Sequence, residues 1–93
     1  MDNSKYIMVD YRGVNTPILF PNYVNHSDIA KAFGGKDKVL SAGFFEVGAK
    51  PDKDDLDNIN VSVFGKSVTV GKEVDKENDP FFILKLLRKQ NYF

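Results

Sequence analysis

The clearest alternation of apolar and polar positions lies in Asn60-Val61-Ser62-Val63-Phe64-Gly65-Lys66-Ser67-Val68-Thr69-Val70. Val61 and Val63 share one face and Ser62 the other. Gly65-Lys66 interrupts the pattern, and Val68 and Val70 resume it around Thr69, as in a half-buried strand or hairpin. This stretch is the expected centre of the sheet. A first strand is expected over Tyr6–Tyr11, with Tyr6, Met8 and Asp10 on one face and Ile7, Val9 and Tyr11 on the other. Arg12-Gly13-Val14-Asn15 reads as a turn in which Gly13 can take a positive φ. Thr16–Pro21 is a second extended segment. Its two prolines cannot donate to a ladder, so it is expected at an edge or to span only three or four residues.

A short helix follows, capped by Asn25 or Ser27, with Asp28 in its first turn and Ile29 and Phe33 four apart on one face. Gly34-Gly35 stops it. Beyond the charged Lys36-Asp37-Lys38, Val39–Val47 reads as a third strand with Leu40, Ala42 and Phe44 on a common face. Gly43 marks a bulge or a close backbone approach. Residues 48–58 form a polar loop, and residues 71–78 a charged, solvated one. Asp79-Pro80 opens a final helix, with a good capping residue and a proline suited to its first position. Phe82, Ile83, Leu86 and Leu87 form its apolar stripe, and Lys85, Arg88 and Lys89 lie opposite. The expected fold is a single α+β domain over residues 1–93. It has a four- or five-stranded, mostly antiparallel sheet, one short helix and a C-terminal helix packed on one face.

The chain has 93 residues, enough for one domain with a modest core to which eight Phe and four Tyr contribute. Thirteen basic and thirteen acidic side chains cancel, with five of each sign through residue 46 and eight of each after it. No whole-chain field therefore draws it to nucleic acid or anionic lipid. It has no cysteine, which excludes disulfides, thiolate metal sites and cysteine nucleophiles. The opening residues lack the basic start and apolar core of a signal peptide, and no run approaches a membrane span. The expectation is a cytoplasmic protein with no membrane partner.

Candidate chemistry is sparse. Asp52, Asp54, Asp55 and Asp57 suggest calcium, but EF-hand spacing fails. Counting from Asp52 puts Leu56 at the third ligand, Asp57 at the required glycine and Val63 at the closing glutamate. The single histidine, His26, offers no pair for zinc, and beside a helix start it reads as a capping or surface residue. Asp10 and Glu46 have no spacing that pairs them across strands. Gly65-Lys66-Ser67 resembles the end of a phosphate loop, but Asn60 stands where the opening glycine belongs and the setting is a strand. No catalytic residue, metal or cofactor is expected, and the reading is not an enzyme.

What remains is surface. Lys85, Arg88 and Lys89 can meet phosphate or an acidic partner. Phe44, Phe45, Phe81, Tyr92 and Phe93 add aromatic area on more than one side, suiting a protein partner or a second copy. The expected function is a non-enzymatic protein-interaction domain, with a homodimer in view. The alternative is a nucleic-acid accessory protein using the basic helix face, with Lys66 and Lys72.

Several short motifs occur in order: His26 before the short helix, Val39-Leu40-Ser41-Ala42-Gly43-Phe44, Val61–Val68, and the helix begun by Asp79. In these the chain resembles small uncharacterised proteins encoded by phages and prophages, over about residues 18–90. The resemblance implies a mobile-element setting, action in the host cytoplasm, and the modulation or inhibition of a host protein. It brings no activity to transfer.

Overall fold

The computed structural model describes residues 4–49 and 59–89. Six strands and two helices follow one another: β1 (Ser4–Tyr11), β2 (Val14–Phe20), α1 (His26–Ala32), β3 (Val39–Ala49), β4 (Ile59–Phe64), β5 (Lys66–Ser67), β6 (Lys72–Glu73) and α2 (Asp79–Lys89). A short 3-10 helix at Lys36–Lys38 leads into β3. β1 to β4 form an antiparallel sheet in the order β2-β1-β3-β4, and β5 and β6 pair separately. The expected α+β architecture is thus observed.

The sheet is organised around β1, not around the 60–70 stretch. Tyr6, Ile7, Met8 and Val9 are four consecutive buried residues. A strand with no polar face must be covered on both sides. On one face, Tyr6 and Met8 join Phe45, Val63, Ile83 and Leu87 beneath α2. On the other, Ile7 and Val9 join Phe20, Val39, Ala42, Ala30 of α1 and Val70 of the β5–β6 turn. Each buried side chain of this size stabilises by roughly 1.5–3 kcal/mol at most, so β1 carries a large share of the hydrophobic energy. β4 alternates because only one of its faces is buried, and it lies at the sheet edge. Val68 and Val70 do not resume a strand: they lie in the β5–β6 turn, Val68 exposed and Val70 turned into the second core.

The β1–β2 connection is tighter than expected. Arg12 (φ 55°) and Gly13 (φ 83°) alone make the turn, and Tyr11 faces Val14. Two positive φ angles in succession are the signature of the hairpin turn that matches strand twist. β2 is an edge strand as expected, but seven residues long despite Pro17. Tyr11 and Val14 flank the turn as a hydrogen-bonded pair, so alternation makes Met8 and Pro17 a non-hydrogen-bonded one. The nitrogen of Pro17 therefore points to the outer edge, where no ladder bond is lost.

In β3 the register against β1 shifts between Met8 and Val9, leaving Leu40 as the extra residue. Leu40 is consequently exposed, and Val39 takes the inward place beside Ala42, in place of the expected Leu40–Ala42–Phe44 face. Gly43 marks a close approach rather than the bulge. A Cβ there would collide with a methyl of Val74 and come within 2.9 Å of the Phe64 carbonyl oxygen. The expected Ile29–Phe33 pair also changes. α1 ends at Ala32, and Phe33 swings out to solvent while Gly35 N–H donates to Ala30 O at 2.7 Å across positive-φ glycines.

The start of α2 is fixed by hydrogen bonds to β1. The Tyr6 hydroxyl donates to Asp79 Oδ2, which also accepts the Asp75 N–H at 3.0 Å. Asp79 is buried, and burial of a carboxyl is tolerated where protein donors replace water. Burial, reinforced by the Asp79 carboxyl, pushes the Tyr6 hydroxyl far above the ordinary tyrosine range and keeps it a donor. The first intrahelical bond, Phe82 N–H to Asn78 O, makes Asn78 the cap, one residue before the expected Asp79. Asp75 Oδ1 accepts from the N–H groups of Glu77 and Asn78, and Oδ2 from the Asn78 side chain. These bonds, the Asn78 side chain foremost, hold the Asp75 carboxyl below its ordinary range.

Tyr6→Phe is expected to cost about 1.5–3 kcal/mol, since the buried Asp79 Oδ2 loses one of its two donors, keeping only the Asp75 N–H, while packing is kept. Gly43→Ala is expected to cost about 1–3 kcal/mol through overpacking against Val74 and the Phe64 carbonyl. Denaturant midpoints at unchanged slope measure both; a loss under half a kcal/mol in either would contradict its assignment.

Candidate functional site

Four of the eight candidate residues come together. α2 buries Asp79, Ile83 and Leu87, and half-buries Phe82, Leu84 and Leu86. Phe81, Lys85, Arg88 and Lys89 are exposed, and their spacings of four, three and one place them on a single outer face. Phe81 is 63% exposed, held edge-on against Phe82 with ring centroids 5.5 Å apart. The outer face of the helix thus carries one projecting aromatic ring followed by three cations. The buried stripe of α2 faces the core, and Phe81 stands outside it.

Phe44 and Phe45 cannot serve one surface, because successive strand residues point to opposite faces. Phe45 is a correction to the expected partner surface. It is 7% exposed and packs edge-on against Tyr6 at 6.3 Å, as part of the core beneath α2. Phe44 is half-buried on the other face, stacked on Phe64 at 5.7 Å with the Lys5 ammonium 5.9 Å from its centroid. It is therefore separated from the α2 surface by the sheet. Tyr92 and Phe93 lie outside the described residues, as do Asp52, Asp54, Asp55 and Asp57.

His26 is neither a surface nor a capping residue. It is 5% exposed, lodged between the rings of Phe20 (5.3 Å) and Phe44 (5.7 Å), and its Nε2–H donates to Gly43 O at 2.8 Å. A carbonyl can only accept, so Nε2 carries the proton. Burial holds the ring's pKa below its ordinary 6.5, with the positive charge of Lys5 adding to that effect against the opposing Gly43 bond. No carboxyl partners the ring among the hydrogen bonds of the described residues, so the triad logic of a general base is not assembled there. The sequence signal for this buried position is the small Ala30 one turn on, which lets α1 approach the sheet.

The remaining candidates stay apart. Asp10 lies at the hairpin end, its Oδ1 accepting Gly13 N–H at 2.7 Å. Glu46 faces Ser62 on an exposed part of β3. Lys66 and Lys72 border an open depression of about 360 Å³ on the β5–β6 hairpin, together with Glu73. Among the described residues no three His, Cys, Asp or Glu side chains gather as metal ligands, and no buried side-chain polar atom lacks a partner. No helix among them is long and apolar enough to cross a membrane. No protein-family model, curated protein or solved structure matches the chain.

The depressed pKa of His26 sets a direction for stability against pH. The unfolded chain binds the proton more readily than the folded one. The contribution of the neutral ring is therefore complete above about pH 6.5 and is lost as the pH falls below it. The urea midpoint is expected to fall between about pH 7 and about pH 5, and to fall less in His26→Gln. A midpoint that is flat or rises on acidification would contradict this.

Proposed function

We propose that the chain is a small non-enzymatic interaction domain that binds a host protein through the outer face of α2. The observation that carries the reading is the exposed Phe81 ring beside Lys85, Arg88 and Lys89. An exposed aromatic anchor next to cations suits a partner with an apolar socket rimmed by acidic side chains. The anchor supplies affinity by desolvation, and the charges supply orientation and association rate. The resemblance to phage and prophage proteins supports a host protein as that partner, and modulation or inhibition as the outcome of binding.

A second reading draws on the same cations. Lys85, Arg88 and Lys89 sit along one helix face and suit a phosphate backbone, as a nucleic-acid accessory protein would require. Lys66 and Lys72, on the β5–β6 hairpin, would extend that footprint to a second element. The zero net charge and the aromatic ring among the cations favour the protein partner.

Capture from host lysate with and without nuclease separates the two. The expected result is one stoichiometric protein that survives nuclease. Its affinity should fall at least about tenfold in Phe81→Ala, with helicity and melting temperature unchanged. Captured material that vanishes with nuclease, together with binding to duplex or single strands that weakens steeply with salt, would put the nucleic-acid reading in its place.

A further inference from the structure

The two edges of the main sheet are built differently. Pro17 of β2, itself buried, turns its nitrogen to the outer side, so a donor is missing from the middle of that edge. β4, Ile59–Phe64, contains no proline, no charged residue and no break in its register against β3. Among the described residues no strand pairs with its outer side. Natural edges are commonly closed to further pairing by proline, lysine or a bulge, and β4 has none of these. We propose that the outer edge of β4 pairs antiparallel with β4 of a second copy of this chain, joining two four-stranded sheets into one of eight.

The side-chain pattern supports a second copy as the occupant. A two-fold axis through the sheet leaves each face on its own side, so residues that oppose one another come from the same face. Centred on Ser62, the pairing sets Val61 against Val63 of the second copy and Ser62 against Ser62. Centred on Val61, it sets Val61 against Val61 and Asn60 against Ser62. In both registers valine meets valine on the α2 side and no like charges oppose. On the other face the register centred on Val61 sets asparagine against serine, whereas the one centred on Ser62 sets Asn60 against Phe64, which favours the former. The valine side is continuous with the core, since Val61 and Val63 both pack with Ile83 and Leu87 beneath α2. Among the described residues the main sheet of each chain contributes one open edge, so the pairing closes at a dimer with the Pro17 strand at both ends. This surface is distinct from the outer face of α2, and its test is independent of the partner proposed above.

The test is the mass in solution of the full chain, by sedimentation or light scattering over a concentration series. The expected result is a species of twice the 10.5 kDa chain. The double variant Asn60→Lys/Ser62→Lys should revert it to the single-chain mass. Both side chains are exposed on the face away from α2, and in either register the change brings lysine against lysine within about 5.5 Å at Cβ. Far-ultraviolet dichroism and the melting temperature at low concentration confirm that the variant is folded. Asn15→Lys, on the guarded edge, should leave the dimer intact, as should Phe81→Ala. A wild-type chain that stays single throughout the series overturns the proposal. So does a folded double variant that remains dimeric, or a dimer lost in Asn15→Lys.

Discussion

The bond from the Tyr6 hydroxyl to Asp79 fixes how the two ends of the described chain meet. It joins the central strand to the first residue of the last helix, across 73 positions of sequence. An apolar helix stripe can slide on an apolar sheet at little cost, because hydrophobic contact has no direction. A buried hydroxyl–carboxyl pair does have one, since displacing either group strands a polar atom away from water. Asp79 thereby fixes where α2 begins over the sheet, and Ile83 and Leu87 follow one and two turns later onto Tyr6, Met8 and Phe45. The Asp75 turn holds Asp79 from its other side, so the anchor is braced within its own segment as well.

Much of this architecture is legible in the sequence, and the misreadings share a cause. The alternating stretch at 60–70 attracts notice because one polar face contrasts with one apolar face, yet that contrast is the mark of a strand covered on one side only. Tyr6-Ile7-Met8-Val9 shows no contrast, and this is what a strand covered on both sides looks like. Counting in twos sets Leu40 on a face with Ala42 and Val68 on one with Val70, and both lie where the count breaks, at a bulge and in a turn. Local periodicity carries no information about a register shift, which is set by the neighbouring strand.

The candidate surface divides the same way. Helical spacing alone is enough to put Phe81, Lys85, Arg88 and Lys89 together, because the apolar stripe of α2 defines its opposite face. Phe44 and Phe45 supply aromatic area on opposite faces of β3, as adjacent strand residues must, but no local pattern tells that the Phe45 face is the one α2 covers. The position of His26 beside a helix start suggests a cap or a surface residue. Its burial depends on Phe20 and Phe44, which β2 and β3 bring from either side and which no local pattern announces.

The two sides of β1 also differ in when they can be covered. β2 follows at once through a two-residue turn, and such hairpins close in about 1–10 μs. Phe20, Ala30, Val39 and Ala42, which cover Ile7 and Val9, come from the first half of the chain, and Val70 completes that side before α2 is made. Tyr6 and Met8 wait for Ile83 and Leu87. During synthesis, and in any product truncated before residue 79, an already paired sheet therefore displays one greasy side with nothing of its own to shield it. That makes the unfinished chain, rather than the finished one, the form most in need of a chaperone.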